Sequence, residues 1–277
     1  MRAPLIAVLG VAMAALTACA PVQNPAVSPP SGVAGSPAAA GTELVLKMQD
    51  HLGFSHPGAP LPIPLTVLRD GTLIHGFYDT TSAGEQPAVP TMVRRELTPA
   101  GLRTLLDATR EAGLTTIADF GDAGVMDAGP TRFTVVIDGR VHSILVEGAD
   151  FGPLMIEDPL KPVRERLMAL RKNLKNLDSW LGGDISAAQP YGYDRMALLN
   201  RPLGSAEQPF ETPREWPLAG LADARCVVVT GDELAQAARL AETAGAYAAW
   251  KSDSKLYYLQ FRPMTPDEKD CRSLPSR

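Results

Sequence analysis

Residues 65–78 read LTVLRDGTLIHGFY, and this stretch decides the fold. Two runs rich in β-branched and aliphatic side chains, 65–69 and 72–78, flank Asp70-Gly71. An Asp-Gly pair supplies the positive φ values of a type I′ turn, so the stretch predicts a β-hairpin. Working outward, 43–48 alternates as a strand and 89–97 allows another. A helix follows, with Thr98 as N-cap, Pro99 at its first position, Leu102, Leu105 and Leu106 at helical spacing, and Gly113 as its stop. A loop over 119–130 leads to a second hairpin, 132–137 and 141–147, around Asp138-Gly139-Arg140.

After Asp158-Pro159 the spacing predicts a helix with Leu160, Val163, Leu167, Leu170, Leu174 and Leu177 on one face. Arg164, Arg166, Arg171, Lys172 and Lys175 take the rest of its surface and read as a solvated side. Beyond 178, strands are expected at 195–200, 225–229, 247–251 and 255–262. Thr230-Gly231-Asp232-Glu233 reads as a capping box opening a helix with Leu234, Ala237, Ala238 and Ala241 inward. The expected fold class is α+β: two small regions, 42–177 and 178–277, each an antiparallel meander or hairpin sheet packed with one or two helices.

The N-terminus reads differently. Arg2 precedes an uncharged, largely apolar run to Ala18, closed by Leu16-Thr17-Ala18-Cys19. Sixteen helical residues span ~24 Å, short of a ~30 Å hydrocarbon core, so a cleaved export signal over 1–18 fits better than a membrane helix. The pattern resembles the lipobox of bacterial lipoproteins, in which the cysteine is lipidated and becomes the mature N-terminus. That resemblance implies a lipidated Cys19, export, and anchorage to the extracytoplasmic face of the cell membrane. From Ala20 to Gly41 the chain is almost wholly Pro, Ala, Ser, Gly and Val, without charge or aromatic residue. Such a stretch cannot bury enough apolar surface to order itself and reads as a tether.

Composition narrows the partners. The chain carries 26 basic and 31 acidic residues, a formal charge of −5, with no basic block. Nucleic acid is therefore an unsuitable partner, and no polybasic segment would draw the body to anionic lipid. The expected partners are the membrane, through the lipid, and an envelope protein or ligand. Of three cysteines, Cys19 would be consumed by the lipid, leaving Cys226 and Cys271 as an even pair. An exported chain meets oxidising conditions, so these two read as a disulfide. Closing that loop of about 46 residues contributes ~4 kcal/mol in the chain-entropy account. A zinc or thiol-redox site fits less well, with no C-x-x-C and no histidine after Cys226.

Most catalytic signatures are missing: no G-x-S-x-G, H-E-x-x-H, P-loop or G-x-G-x-x-G occurs. The histidines are His51, His56, His75 and His142. His51 and His56, five apart in a turn-rich stretch, are weak metal ligands without a matched third. Asp119, Asp122 and Asp127 stand among glycines in one loop, where turn chemistry explains them better than a Ca²⁺ site. Trp180, Trp216, Trp250, Tyr191, Tyr193, Tyr247, Tyr257 and Tyr258 suit a sugar or peptide platform, but read better as core and rim of the second region. No cofactor, metal or catalytic residue is expected.

Several segments together resemble a family of uncharacterised exported lipoproteins of high-GC Gram-positive bacteria. They are Leu44-Val45-Leu46, Leu68-Arg69-Asp70-Gly71-Thr72, Val93 to Thr98, Gly124-Val125-Met126-Asp127, Trp180-Leu181-Gly182, Gln189-Pro190-Tyr191, Arg225-Cys226 to Thr230-Gly231, and Arg262-Pro263 before Cys271. The likeness covers most of the chain after Gly41. The first region also resembles a small domain of unknown function with a D-G-T hairpin, a helix and a T-D-x-P-T stretch. Here the last departs to Met126-Asp127-Ala128-Gly129-Pro130-Thr131. The resemblance implies location and architecture and carries no activity. The expected role is non-catalytic binding or scaffolding at the envelope; the alternative is an envelope hydrolase or metal-dependent enzyme using histidine and aspartate of the first region.

Overall fold

The computed structural model describes residues 43–51, 62–79, 86–125, 127–151, 158–205, 207–218, 221 and 225–274. Cys19, the expected export signal, the whole of the expected tether and His56 lie outside them. The fold is α+β, with two antiparallel-rich sheets and few helices. Among the described residues no helix is long and apolar enough to cross a membrane.

The first sheet is built from β1 (Leu44–Asp50), β2 (Leu65–Leu68), β3 (Thr72–Phe77), β4 (Thr91–Glu96), β5 (Thr131–Ile137), β6 (Arg140–Val146) and β7 (Gln189–Pro190). Their order is β6-β5-β1-β2-β3-β4-β7. Helices α1 (Pro99–Glu111), α2 (Lys161–Lys175) and α3 (Leu177–Leu181) cover one face. Leu46, Leu73, Leu105, Leu114, Phe133 and Leu167 are fully buried between the layers. Thr98 caps α1 as its sequence requires, its hydroxyl accepting from the Gly101 N–H at 3.1 Å. The core continues through Leu177, Leu181 and Ile185, so the division expected after residue 177 falls inside the helical layer.

The second sheet contains β8 (Arg195–Pro202), β9 (Arg214–Glu215), β10 (Cys226–Thr230), β11 (Ala249–Ser252) and β12 (Lys255–Pro263), ordered β10-β8-β12-β11-β9. Helix α4 (Gly231–Glu242) buries Leu234, Ala237 and Ala241 against it. Trp216, Trp250 and Phe261 meet there edge to face, with Trp216 and Trp250 5.4 Å apart at 87°. Cys226 and Cys271 form a disulfide, tying β10 to the C-terminal tail. Residues 86–88 also reach this unit: the Ala88 N–H donates to the Ala244 carbonyl, and the Ala246 N–H to that of Gln86.

Three local readings are corrected. The hairpin at Asp70-Gly71 forms, but only Gly71 has positive φ (+90°), and its N–H donates to the Leu68 carbonyl at 3.1 Å. The chain at Leu97 explains the glycine: a Cβ on Gly71 would lie 2.7 Å from the Leu97 oxygen. Two-residue turns with both φ positive occur instead at Asp138-Gly139, 51° and 73°, and at Asp253-Ser254, 49° and 63°. The capping box at Thr230 does not close, since Gly231 enters α4 at φ +54° and the Thr230 side chain makes no capping bond.

The third correction concerns the basic side of α2. Arg164 and Arg171 are buried, not solvated. Arg164, with no exposed surface, donates to four backbone carbonyls: Phe120 at 3.3 Å, Gly121 at 2.8 Å, Glu147 at 2.5 Å and Gly148 at 2.6 Å. A guanidinium carries five donors in a fixed fork, which lets one side chain satisfy two loops at once. It fastens the 119–124 and 147–151 loops to the helix.

The outer face of the first sheet carries a buried ionic contact to the second unit. Lys47 on β1 donates to Glu268 at 2.9 Å and pairs with Asp267 at 2.6 Å. Glu268 also accepts two bonds from Arg262 on β12, at 2.9 and 2.6 Å, and one from the Thr265 N–H at 3.0 Å. Burial would raise the Glu268 carboxyl, but the two cations outweigh it and draw its pKa from 4.5 down to about 2.

Candidate functional site

A cavity of about 410 Å³ opens where the ends of β1–β4 meet the junction of α2 and α3. Its apolar floor comes from Met48, Ile63, Leu65, Leu174 and Leu177. Its polar wall is Asp50, His75, Arg95, Lys175, Asp178 and Ser179. This combination arises from local rules. Alternation along β1 and β3 sends every second side chain to the helical face. The break between α2 and α3 at Asn176 then turns Lys175 and Asp178 toward the same opening.

The charged groups of the wall hold one another. Arg95, nearly buried, forms a two-pronged contact with Asp178, one bond at 3.0 Å, and donates its Nε to the Ser186 carbonyl at 2.8 Å. That hydrogen bonding holds the exposed Asp178 carboxyl below the usual carboxylate range. Asp50 accepts from Arg171 at 2.6 Å and from the Thr131 hydroxyl at 2.7 Å. Burial would push Asp50 up; Arg171, Thr131 and Lys175 reverse the sign and keep it low. Arg171 also pairs with Asp150, and Lys175 reaches the same carboxylate at 3.1 Å. The Lys175 ammonium lies below its ordinary pKa, first because it is partly buried and then because Arg171 is near, with Asp50 opposing both.

His75 on β3 is the histidine of the cavity wall. Burial and then Arg95 depress its pKa, against the opposing charge of Asp178, so it stands neutral at neutral pH. His51 follows β1 with its backbone N–H on the Pro130 carbonyl, and His142 lies on β6; neither lines the cavity. Of the carboxylate loop, Asp119 accepts from the Gly121 N–H at 2.8 Å and Asp122 from the Gly124 N–H at 2.9 Å. Both are turn contacts. Among the described residues no group of three or more His, Cys, Asp or Glu is placed to hold a metal ion.

The aromatic residues divide. Trp216, Trp250, Tyr257 and Tyr258 are buried, and Trp180 packs partly buried against the first core. Phe210, 63% exposed, leans on Tyr247 and Tyr258, whose ring also carries the Arg201 guanidinium at 5.1 Å.

Arg95, Asp178, Asp50, Arg171 and Lys175 were not candidates by sequence. A signal for the helical pair was present: Arg164, Leu167, Arg171 and Leu174 follow the three- and four-residue steps of one stripe, so both arginines lie on the apolar face. No protein-family model, curated protein or solved structure matches this chain.

Proposed function

We propose that this is a lipid-anchored cell-envelope protein whose body binds a small amphipathic ligand bearing an acid group. One observation carries the binding half. The cavity joins an apolar floor to a wall where Lys175, 45% exposed at the mouth, shares the Asp150 carboxylate with the buried Arg171 behind it, while Arg95 is held by Asp178. A cavity of a few hundred Å³ with an apolar body and few polar groups is the usual form of a small-molecule site. An apolar tail fits the floor, and an acidic head at the rim meets Lys175.

The envelope half rests on Leu16-Thr17-Ala18-Cys19, the uncharged tether after it and the even cysteine pair left behind. The resemblance to exported lipoproteins belongs to the same reading. Membrane fractionation tests it: the wild-type chain is expected in the membrane pellet with a fatty-acylated Cys19 by mass spectrometry. Cys19→Ser is expected in the soluble fraction. An unmodified Cys19 in the mature chain ends the anchoring claim.

The hydrolase alternative keeps one observation, that His75 and Asp178 share the wall. Binding is preferred because Asp178, the carboxylate that would orient an imidazole base, is engaged by Arg95.

A further inference from the structure

Each sheet has two edges, and three of the four are blunted. Strand β7 is two residues long and contains Pro190; β9 is two residues long; β10 is tied through Cys226 to the tail that carries Cys271. Strand β6 is the fourth. It runs seven residues without proline or bulge, and among the described residues no strand pairs beyond it at that end of the first sheet. Folded proteins protect such edges with lysine, proline, bulges or a covering element, because the free N–H and C=O groups recruit another strand.

The free groups of β6 can be assigned. The pair Ile137↔Arg140 flanks a two-residue turn with both φ positive, so it is a hydrogen-bonded pair. Bonding alternates along the ladder, so 140, 142, 144 and 146 bond to β5, and 141, 143 and 145 present their backbone groups outward. Their side chains share the outer face of the sheet. Val141 is 68% exposed and Leu145 43%, two of the few large apolar side chains left open.

This strand is complementary to itself. Antiparallel pairing of two copies centred on Ser143 sets Val141 of each opposite Leu145 of the other, both in the hydrogen-bonded class. The same register brings Arg140 of one copy within one residue of Glu147 of the other, at both ends. Ser143 sits on the axis, and the Arg132 of each copy stands one strand back with its Nη1 3.5 Å from its own Ser143 hydroxyl. A two-fold contact of this kind uses one patch on both partners and leaves no open edge. We infer that two copies of this chain associate through β6, joining their first sheets into one continuous antiparallel sheet.

Thiol crosslinking of the full-length chain in envelope membranes tests this. Directly opposite residues of a hydrogen-bonded pair have Cα atoms ~5.5 Å apart, within disulfide range. In this register the two Val141 residues are displaced by four positions, ~14 Å. Ser143→Cys is therefore expected to yield at least tenfold more reducible covalent dimer on mild oxidation than Val141→Cys, and Val141→Cys co-expressed with Leu145→Cys to crosslink as Ser143→Cys does. After detergent extraction the wild type is expected at dimer mass, and the folded Val141→Lys/Leu145→Lys variant at monomer mass. The inference fails if wild type sediments as a monomer, if Val141→Cys crosslinks as well as Ser143→Cys, or if Ser143→Cys is captured by a different protein.

Discussion

Arg164→Met is expected to destabilise the first unit by about 3–5 kcal/mol, enough to unfold many domains of this size. Methionine keeps the aliphatic stem and its packing but leaves the carbonyls of Phe120, Gly121, Glu147 and Gly148 without their donor. Each buried acceptor left unpaired costs about 1–3 kcal/mol, less whatever water recovers. Arg164→Lys should fall between, because an ammonium keeps the charge but cannot span two loops with a planar fork. The readout is the urea midpoint followed by circular dichroism. A loss below about 1 kcal/mol for Arg164→Met contradicts the reading. The effect would also reach the cavity, since Arg164 anchors the helix that carries Arg171 and Lys175 two and three turns later.

Glu268→Gln is the second large effect, expected at about 3 kcal/mol. The amide keeps the shape but removes the carboxylate held by Arg262, 3% exposed, and leaves Lys47, 11% exposed, with Asp267 alone. Replacing the pair together, Arg262→Met with Glu268→Leu, should recover much of the loss, because a buried ion pair and a packed apolar pair are often close in energy. The pH dependence has a definite sign. Folding lowers the Glu268 pKa from 4.5 to about 2. The ionised form is therefore the one that stabilises the fold, fully so above pH ~4.5. That contribution, roughly 3 kcal/mol, is lost as pH falls from about 4.5 toward 2. Melting temperatures between pH 6 and 2.5 should fall less steeply in Glu268→Gln than in the wild type. Parallel curves would contradict the assignment.

Much of this architecture was legible in the chain because its rules are local. Thr98-Pro99 announces a helix start, Asp138-Gly139 a tight turn, and the runs 195–200 and 255–262 a pair of strands that the structure sets side by side. What escaped depends on distant neighbours. The turn at Asp70-Gly71 departs from expectation because Leu97 approaches Gly71, 26 residues away in the chain. Helical spacing puts Arg164 on the apolar stripe of α2, but the carbonyls that satisfy it there come from the distant loops at 120–121 and 147–148. The cavity escaped for the same reason. Its wall draws Asp50, His75, Arg95 and Asp178 from three strands and a helix, with no spacing that one segment could display.

The most direct test of the cavity as a ligand site is a titration of the folded chain with 1-anilinonaphthalene-8-sulfonate, an apolar ring system carrying one acid group. Saturable fluorescence with one site per chain is expected at neutral pH. It should weaken at least tenfold in Ser179→Trp, which fills the mouth from an exposed position, and severalfold in Lys175→Ala, which removes the cation at the rim. Both variants should melt within a few degrees of the wild type. Absent saturation, or binding that Ser179→Trp and Lys175→Ala leave unchanged, would contradict the account.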